Sequence, residues 1–148
     1  MSTSTHVIET KAETKFGFVD LTPKLLNAVY SSGIDAGLVV AFCRHTTCSL
    51  LINEWEDGAL EDLRRRGHEL VPESTYYAHD DMTRRTQNLQ PVGEPANGRA
   101  HVLQALVGGT SQLVPIVGGR PALGRWQRLI LVELDDPRPR EVVFTILG

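Results

Sequence analysis

Two apolar runs, Leu38–Phe42 and Leu50–Ile52, stand close together in the chain with a short polar segment between them. That segment holds His45, Thr46 and Thr47, and the second run leads straight into Asn53, Glu54 and Asp57. The pattern reads as two buried strands with polar groups where they end, which is how a β scaffold presents chemistry. Strands also arrive together elsewhere: His6–Glu13 with Phe16–Asp20, and Ser111–Val117, Trp126–Leu134 and Glu141–Leu147 in succession. Runs of strands without a regular βαβ alternation predict an α+β fold. Its sheets should be largely antiparallel or mixed, and sandwich-like. Neither GxGxxG nor a Walker A pattern is present to argue for a nucleotide-binding α/β domain.

Three helices complete the expected fold. The first begins with Thr22 as cap and Pro23 at its first position, buries Leu25, Leu26 and Val29, and stops at Gly33. The second is capped by Asp57, buries Leu60 and Leu63, and ends at Gly67. Arg64–Arg66 then fall in its last turn, where cations suit the helix dipole. The third spans Gly98–Val107. Residues 1–6, rich in Ser and Thr, are expected to fray. The long irregular segment Glu73–Asn97 contains Tyr76, Tyr77, His79, Asp80 and Asp81, a composition that suits a lid or site wall better than a disordered linker.

A length of 148 residues fits one domain with a real core. A net charge of -3, from 15 basic and 18 acidic residues, argues against a nucleic-acid-binding surface. No apolar run approaches the roughly 18–20 residues of a membrane span, and the N-terminus lacks a signal-peptide profile. A soluble cytoplasmic protein without a membrane partner is the expectation. Cys43 and Cys48 match neither CxxC nor zinc-ribbon spacing and read as reduced packing residues.

Of five histidines, His45, His79 and His101 sit beside other polar groups on separate elements. If they converge, they form a candidate site for a divalent metal, zinc or magnesium, with a position left open for water or substrate. No organic cofactor is implied. Glu54, behind a buried run, is the better general-base candidate, with Asp57 near it. Asp81 or its neighbour Asp80 is placed to orient His79. Thr46, Thr47, Asn53, Ser111 and Arg120 supply groups for a phosphate or carboxylate, and Trp126 with Gln127 opens a strand where a ligand could be held.

These residues resemble the YjbQ family, also called the secondary thiamine-phosphate synthase family. The resemblance runs in order through His45-Thr46-Thr47, Asn53-Glu54 with Asp57, Tyr77-Ala-His79-Asp80-Asp81, Ala100-His101, and Gly119-Arg120 with Leu123-Gly124-Arg-Trp126-Gln127. It covers the chain from about Thr14 to Leu147, and the LGxWQ segment is its most specific part. It implies a compact α+β domain assembled as a homotrimer, with a polar pocket near the subunit contact. It also implies a weak activity joining an aminopyrimidine pyrophosphate to a thiazole phosphate with release of pyrophosphate. A binding protein for a phosphorylated metabolite and a metal-dependent hydrolase are the alternatives. Two departures stand out: Arg99 occupies a position where many members carry a second His, and Arg125 one where many carry Thr. Both add positive charge that would favour an anionic substrate if the side chains point inward.

Overall fold

The computed structural model describes residues 2–148. Eight strands and three α-helices form three layers. The strands are β1 (Thr3–Thr10), β2 (Gly17–Asp20), β3 (Ala36–Cys43), β4 (Cys48–Glu54), β5 (Ser111–Val117), β6 (Arg120–Pro121), β7 (Gln127–Glu133) and β8 (Arg140–Leu147). The helices are α1 (Thr22–Ser32), α2 (Asp57–Leu70) and α3 (Gly98–Val107). One sheet has the order β1-β8-β3-β5-β6 and the other β2-β7-β4, and every pairing is antiparallel. The expected single α+β domain is what the chain forms.

The burial pattern explains the strand sequences. The five-stranded sheet packs one face, through Val39, Ala41, Val114, Ile116, Phe144 and Ile146, against α1 and the three-stranded sheet. Its strands therefore alternate, as β8 does between buried and less buried positions. The three-stranded sheet is covered on its other face by α2 and α3, through Leu51, Ile130 and Val132 against Leu60 and Leu103. Being enclosed on both sides, β7 reads as an unbroken apolar run over Leu129–Val132, all fully buried.

Several element boundaries differ from expectation. Residues 3–10 do not fray: they form β1, paired with β8 along its whole length, from Thr3 opposite Leu147 to Thr10 opposite Arg140. Met1 lies outside the described residues. Thr22 does not cap α1. Its hydroxyl accepts from the Leu129 backbone N–H, and Asp20 Oδ1 takes the Thr22 N–H instead. Gly33 does stop α1, in the left-handed conformation at φ 66°. The cap of α2 is Glu56, one residue before the expected Asp57. Its carboxylate accepts from the N–H groups of Gly58 and Ala59. Gly67 does not end α2, which continues to Leu70. A β-carbon at Gly67 would lie 2.6 Å from Phe16 Cζ, so this glycine serves close packing rather than termination. Arg64, Arg65 and Arg66 accordingly pair with Glu61, Asp62 and Glu69 on the helix surface.

The chain passes between the two sheets at one end of the molecule by two short crossings. Residues 44–47 join β3 to β4, and residues 134–139 join β7 to β8. Cys48 lies opposite Glu133 and Cys43 opposite Val142, so the crossings run side by side. The irregular segment 72–97, with one short 3-10 turn at Ala78–Asp80, folds over this end.

Candidate functional site

Beneath that segment lies a cavity of about 460 Å³ that His45, Thr46, Thr47, His79 and His101 all line. The three histidines come from the β3–β4 crossing, the 3-10 turn and the first turns of α3. The wall under them is a buried polar network. Arg140 donates to both carboxylate oxygens of Glu133, at 2.7 and 2.6 Å, and to Thr47 Oγ1 at 3.0 Å. Arg140 is 2% exposed and Glu133 0%. Such a pair survives burial because each charge is matched and Arg140 is held further by Thr47. The network continues through Asp135. Its backbone N–H donates to Glu133 Oε1, and its Oδ2 accepts from Asn97 Nδ2 at 2.8 Å and from Arg138 at 2.5 Å.

Asn97 is itself buried, and its Oδ1 has no hydrogen-bond partner among the described residues. The bond from Nδ2 to a carboxylate fixes the amide orientation, so the orphan group at this wall is an acceptor. Each guanidinium around the cavity has a carboxylate partner: Arg44 with Glu141, Arg85 with Glu94, Arg138 with Asp135 and Arg140 with Glu133. Arg44 and Arg138 remain half exposed at the rim, with side chains 55% and 41% accessible.

Both outer imidazoles are held below their usual value of 6.5. For His45 burial is the main cause, followed by the charge of Arg140. For His101 it is burial and then His79, whose ring centroid lies 4.5 Å from that of His101. Either ring is therefore biased towards its neutral form. His45 Nε2 accepts from the Glu141 backbone N–H at 2.9 Å, which places the ring proton on Nδ1. Neither nitrogen of His45 then has a lone pair to offer a metal. Among the described residues no group of three or more His, Cys, Asp or Glu side chains is arranged to hold an ion. The three histidines share a cavity, but they do not fit a resident metal within one chain.

The other expected site residues lie elsewhere. Glu54 and Asn53 end β4 at the far side from Cys48, roughly 20 Å away at ~3.3 Å per residue. Asp57 follows them into α2, so neither Glu54 nor Asp57 is placed to act as a base in the histidine cavity. Asp81 does not orient His79. It accepts from Tyr76 and Thr83, which holds its carboxyl below the usual range, and it closes a local turn. Asp80 accepts from the Gly98 N–H at the start of α3. Ser111 is exposed at the head of β5 and lines neither this cavity nor the one below.

A second cleft, of about 500 Å³, sits at the far end between α1 and residues 120–128. Arg120, Arg125, Gln127 and Arg128 line it. Gln127 lies opposite Glu54 and Arg128 opposite Asn53, so the LGxWQ segment and the Asn-Glu pair form one neighbourhood. Trp126 is 61% exposed, with the Arg125 guanidinium 4.5 Å over its ring. Among the described residues that line this cleft the sole carboxylate is Asp20, 4.0 Å from Arg128. Of the two departures from the family pattern, Arg125 thus adds charge to a cleft. Arg99 does not: it is buried, donates to the Val71 carbonyl and contacts His68.

Sequence reasoning missed Asn97, Glu133, Asp135, Arg138 and Arg140. One signal was available: a Glu at the end of an apolar strand needs a buried partner, and Arg138 and Arg140 follow within a short turn.

A family model described as UPF0047 protein YjbQ-like matches residues 6–148. A UPF0047 protein of Archaeoglobus fulgidus is 36% identical over 137 residues, spanning 93% of this chain and 96% of that one. A crystal structure of a protein of unknown function from Sulfolobus solfataricus superposes with a TM-score of 0.86 at 28% identity, covering 99% of this chain and 98% of that one. A YjbQ/UPF0047 family protein from Clostridium acetobutylicum gives 0.78 at 31% identity, covering 95% and 99%.

Proposed function

The chain belongs to the UPF0047 family of YjbQ-like proteins, and from that premise we propose that it is a low-activity enzyme for phosphorylated small molecules, of the thiamine-phosphate synthase type. The observation that carries the reading is the convergence of three histidines from three elements on one cavity, two of them biased to the neutral form. His101 is the proton-handling group, since a depressed imidazole is a free base at neutral pH. The rim guanidinium groups of Arg44 and Arg138 stabilise the negative charge that builds on a departing pyrophosphate. Asn97 Oδ1 is an acceptor for a donor such as the exocyclic amine of an aminopyrimidine. Magnesium carried on the substrate's own phosphates suits this cavity better than resident zinc.

The arginine cleft enters through assembly. Alternation leaves the outer face of the five-stranded sheet apolar, with Phe42, Leu113 and Val117 at 44%, 63% and 67% exposure. Another copy of the chain is the partner that face takes, in the homotrimer that the family resemblance implies. Ring assemblies use heterologous contacts, which set unlike surfaces of neighbouring copies together. A ring can thereby bring Arg120, Trp126 and Gln127 of one subunit towards the histidines of the next. Light scattering should give three times the chain mass, and Leu113→Glu should lower it.

The deciding assay is incubation with the aminopyrimidine pyrophosphate and the thiazole phosphate in magnesium, with thiamine phosphate as the measured product. His101→Ala should lower the rate about 10²-fold in a correctly assembled protein. An unchanged rate removes the role given to His101. Calorimetric binding of both substrates without any product would instead favour a binding protein, a reading supported by Glu94, the carboxylate lining the cavity, being held in an ion pair with Arg85.

A further inference from the structure

Cys43 and Cys48 are both free, fully buried, and in direct contact with their sulfurs 3.0 Å apart. Cys43 is the last residue of β3 in one sheet and Cys48 the first of β4 in the other. The four residues between them, Arg44–Thr47, carry the His45, Thr46 and Thr47 side chains of the cavity. No role described so far uses the two thiols. A packing role alone does not require two cysteines face to face at the two stems of a site loop.

We propose that Cys43 and Cys48 form an oxidisable dithiol whose disulfide reshapes the loop presenting His45, Thr46 and Thr47. The oxidant class is a hydroperoxide. One sulfur, losing its proton, attacks the peroxide oxygen, and the O–O bond breaks to give a sulfenic acid and the corresponding alcohol, which is water when the oxidant is hydrogen peroxide. The second thiol then attacks that sulfur and expels water. The two thiols lose two electrons and two protons in all, and the peroxide takes them up. Both sulfurs lie in the core at the stems of this loop, whose residues 44 and 46 are exposed, so a peroxide reaches them through local opening of the 44–47 crossing.

The geometric consequence is local. A disulfide holds its sulfurs about 2.05 Å apart, so the loop stems draw together by roughly 1 Å. Thr47 is held by Arg140 at its hydroxyl and by the Leu134 N–H at its carbonyl, and His45 by the Glu141 N–H. Such a displacement resets the geometry of those anchors together, while covalent closure of the loop suppresses its opening. The cavity then differs between the reduced and the oxidised protein.

The test uses the full chain and hydrogen peroxide. Met82, 52% exposed, is an internal control for oxidant dose. Oxidation should lower the mass of the Cys43–Cys48 peptide by about 2 Da, the two hydrogens lost. It should also slow amide exchange over residues 44–47 about tenfold, with dithiothreitol restoring both. Cys48→Ser should keep its exchange rate at the same dose. Both thiols remaining alkylatable after Met82 has become the sulfoxide would overturn the proposal. So would a disulfide that leaves exchange of the loop unchanged. Exchange needs no bound ligand, so this result stands apart from any failure of the thiamine-precursor assay.

Discussion

The two ends of this molecule handle arginine in opposite ways. Around the histidine cavity each arginine has a carboxylate partner, and the Glu133–Arg140 pair is sealed from solvent. At the far cleft Arg128 alone has a carboxylate within 4.0 Å, Asp20, while Arg120 and Arg125 are exposed without an ion pair among the described residues. Matched charges fix geometry and leave little net field. Unmatched charges leave a field and little fixed geometry. The first end holds its groups in place, with Arg44 and Arg138 half exposed at the rim to meet charge, and the second adds an open field for an anion.

The largest effect that would test the contrast is on stability. Arg140→Ala leaves Glu133 charged and buried without a partner, at a cost of about 3–5 kcal/mol in urea unfolding. A loss near that of a surface arginine would mean the network is not sealed. At the other end, Arg120→Ala with Arg125→Ala should weaken inorganic pyrophosphate binding about tenfold at low salt. The difference should shrink towards zero near molar salt, where screening acts within ~3 Å. A salt-independent loss would indicate a fixed contact and erase the distinction. Smaller again is Glu56→Ala, which removes the cap of α2 beside the arginine end and should lower the urea midpoint slightly without changing pyrophosphate affinity.

The smallest expected effect is on pH dependence. Burial chiefly, with Arg140 and His79 adding repulsion, depresses His45 and His101 below 6.5. A histidine depressed in the folded state binds fewer protons there than in the unfolded chain. Its stabilising contribution is therefore complete above pH 6.5 and is lost as pH falls through the folded value. The urea midpoint should drop between about pH 7 and about pH 5, and less so when both are replaced by Gln. An equal drop in that variant would assign the acid sensitivity to carboxylates.

What the sequence made legible follows from what is local. The paired strands, the α+β class and the stop at Gly33 were readable because periodicity and a left-handed glycine are properties of neighbours in the chain. Gly67 misled because its reason, the ring of Phe16, lies about fifty residues away. Asp57 misled by a single position, since the neighbouring Glu56 also carries a carboxylate and takes the cap. The three histidines, each among polar residues near the end of an element, do line one cavity. Glu54 was placed near His45 by chain nearness, but the length of β4 separates them in space, and Gln127 lies opposite Glu54 at that far end.

The side-by-side crossings have one more consequence. The chain changes layer there twice, and Arg140, Glu133 and Thr47 rivet the two passages to each other. The layers cannot slide apart without shearing that rivet, and the cavity sits on top of it. A molecule bound in the cavity would therefore stiffen the whole sandwich against mechanical load. Pulling force in a single-molecule experiment would register occupancy even where no reaction follows.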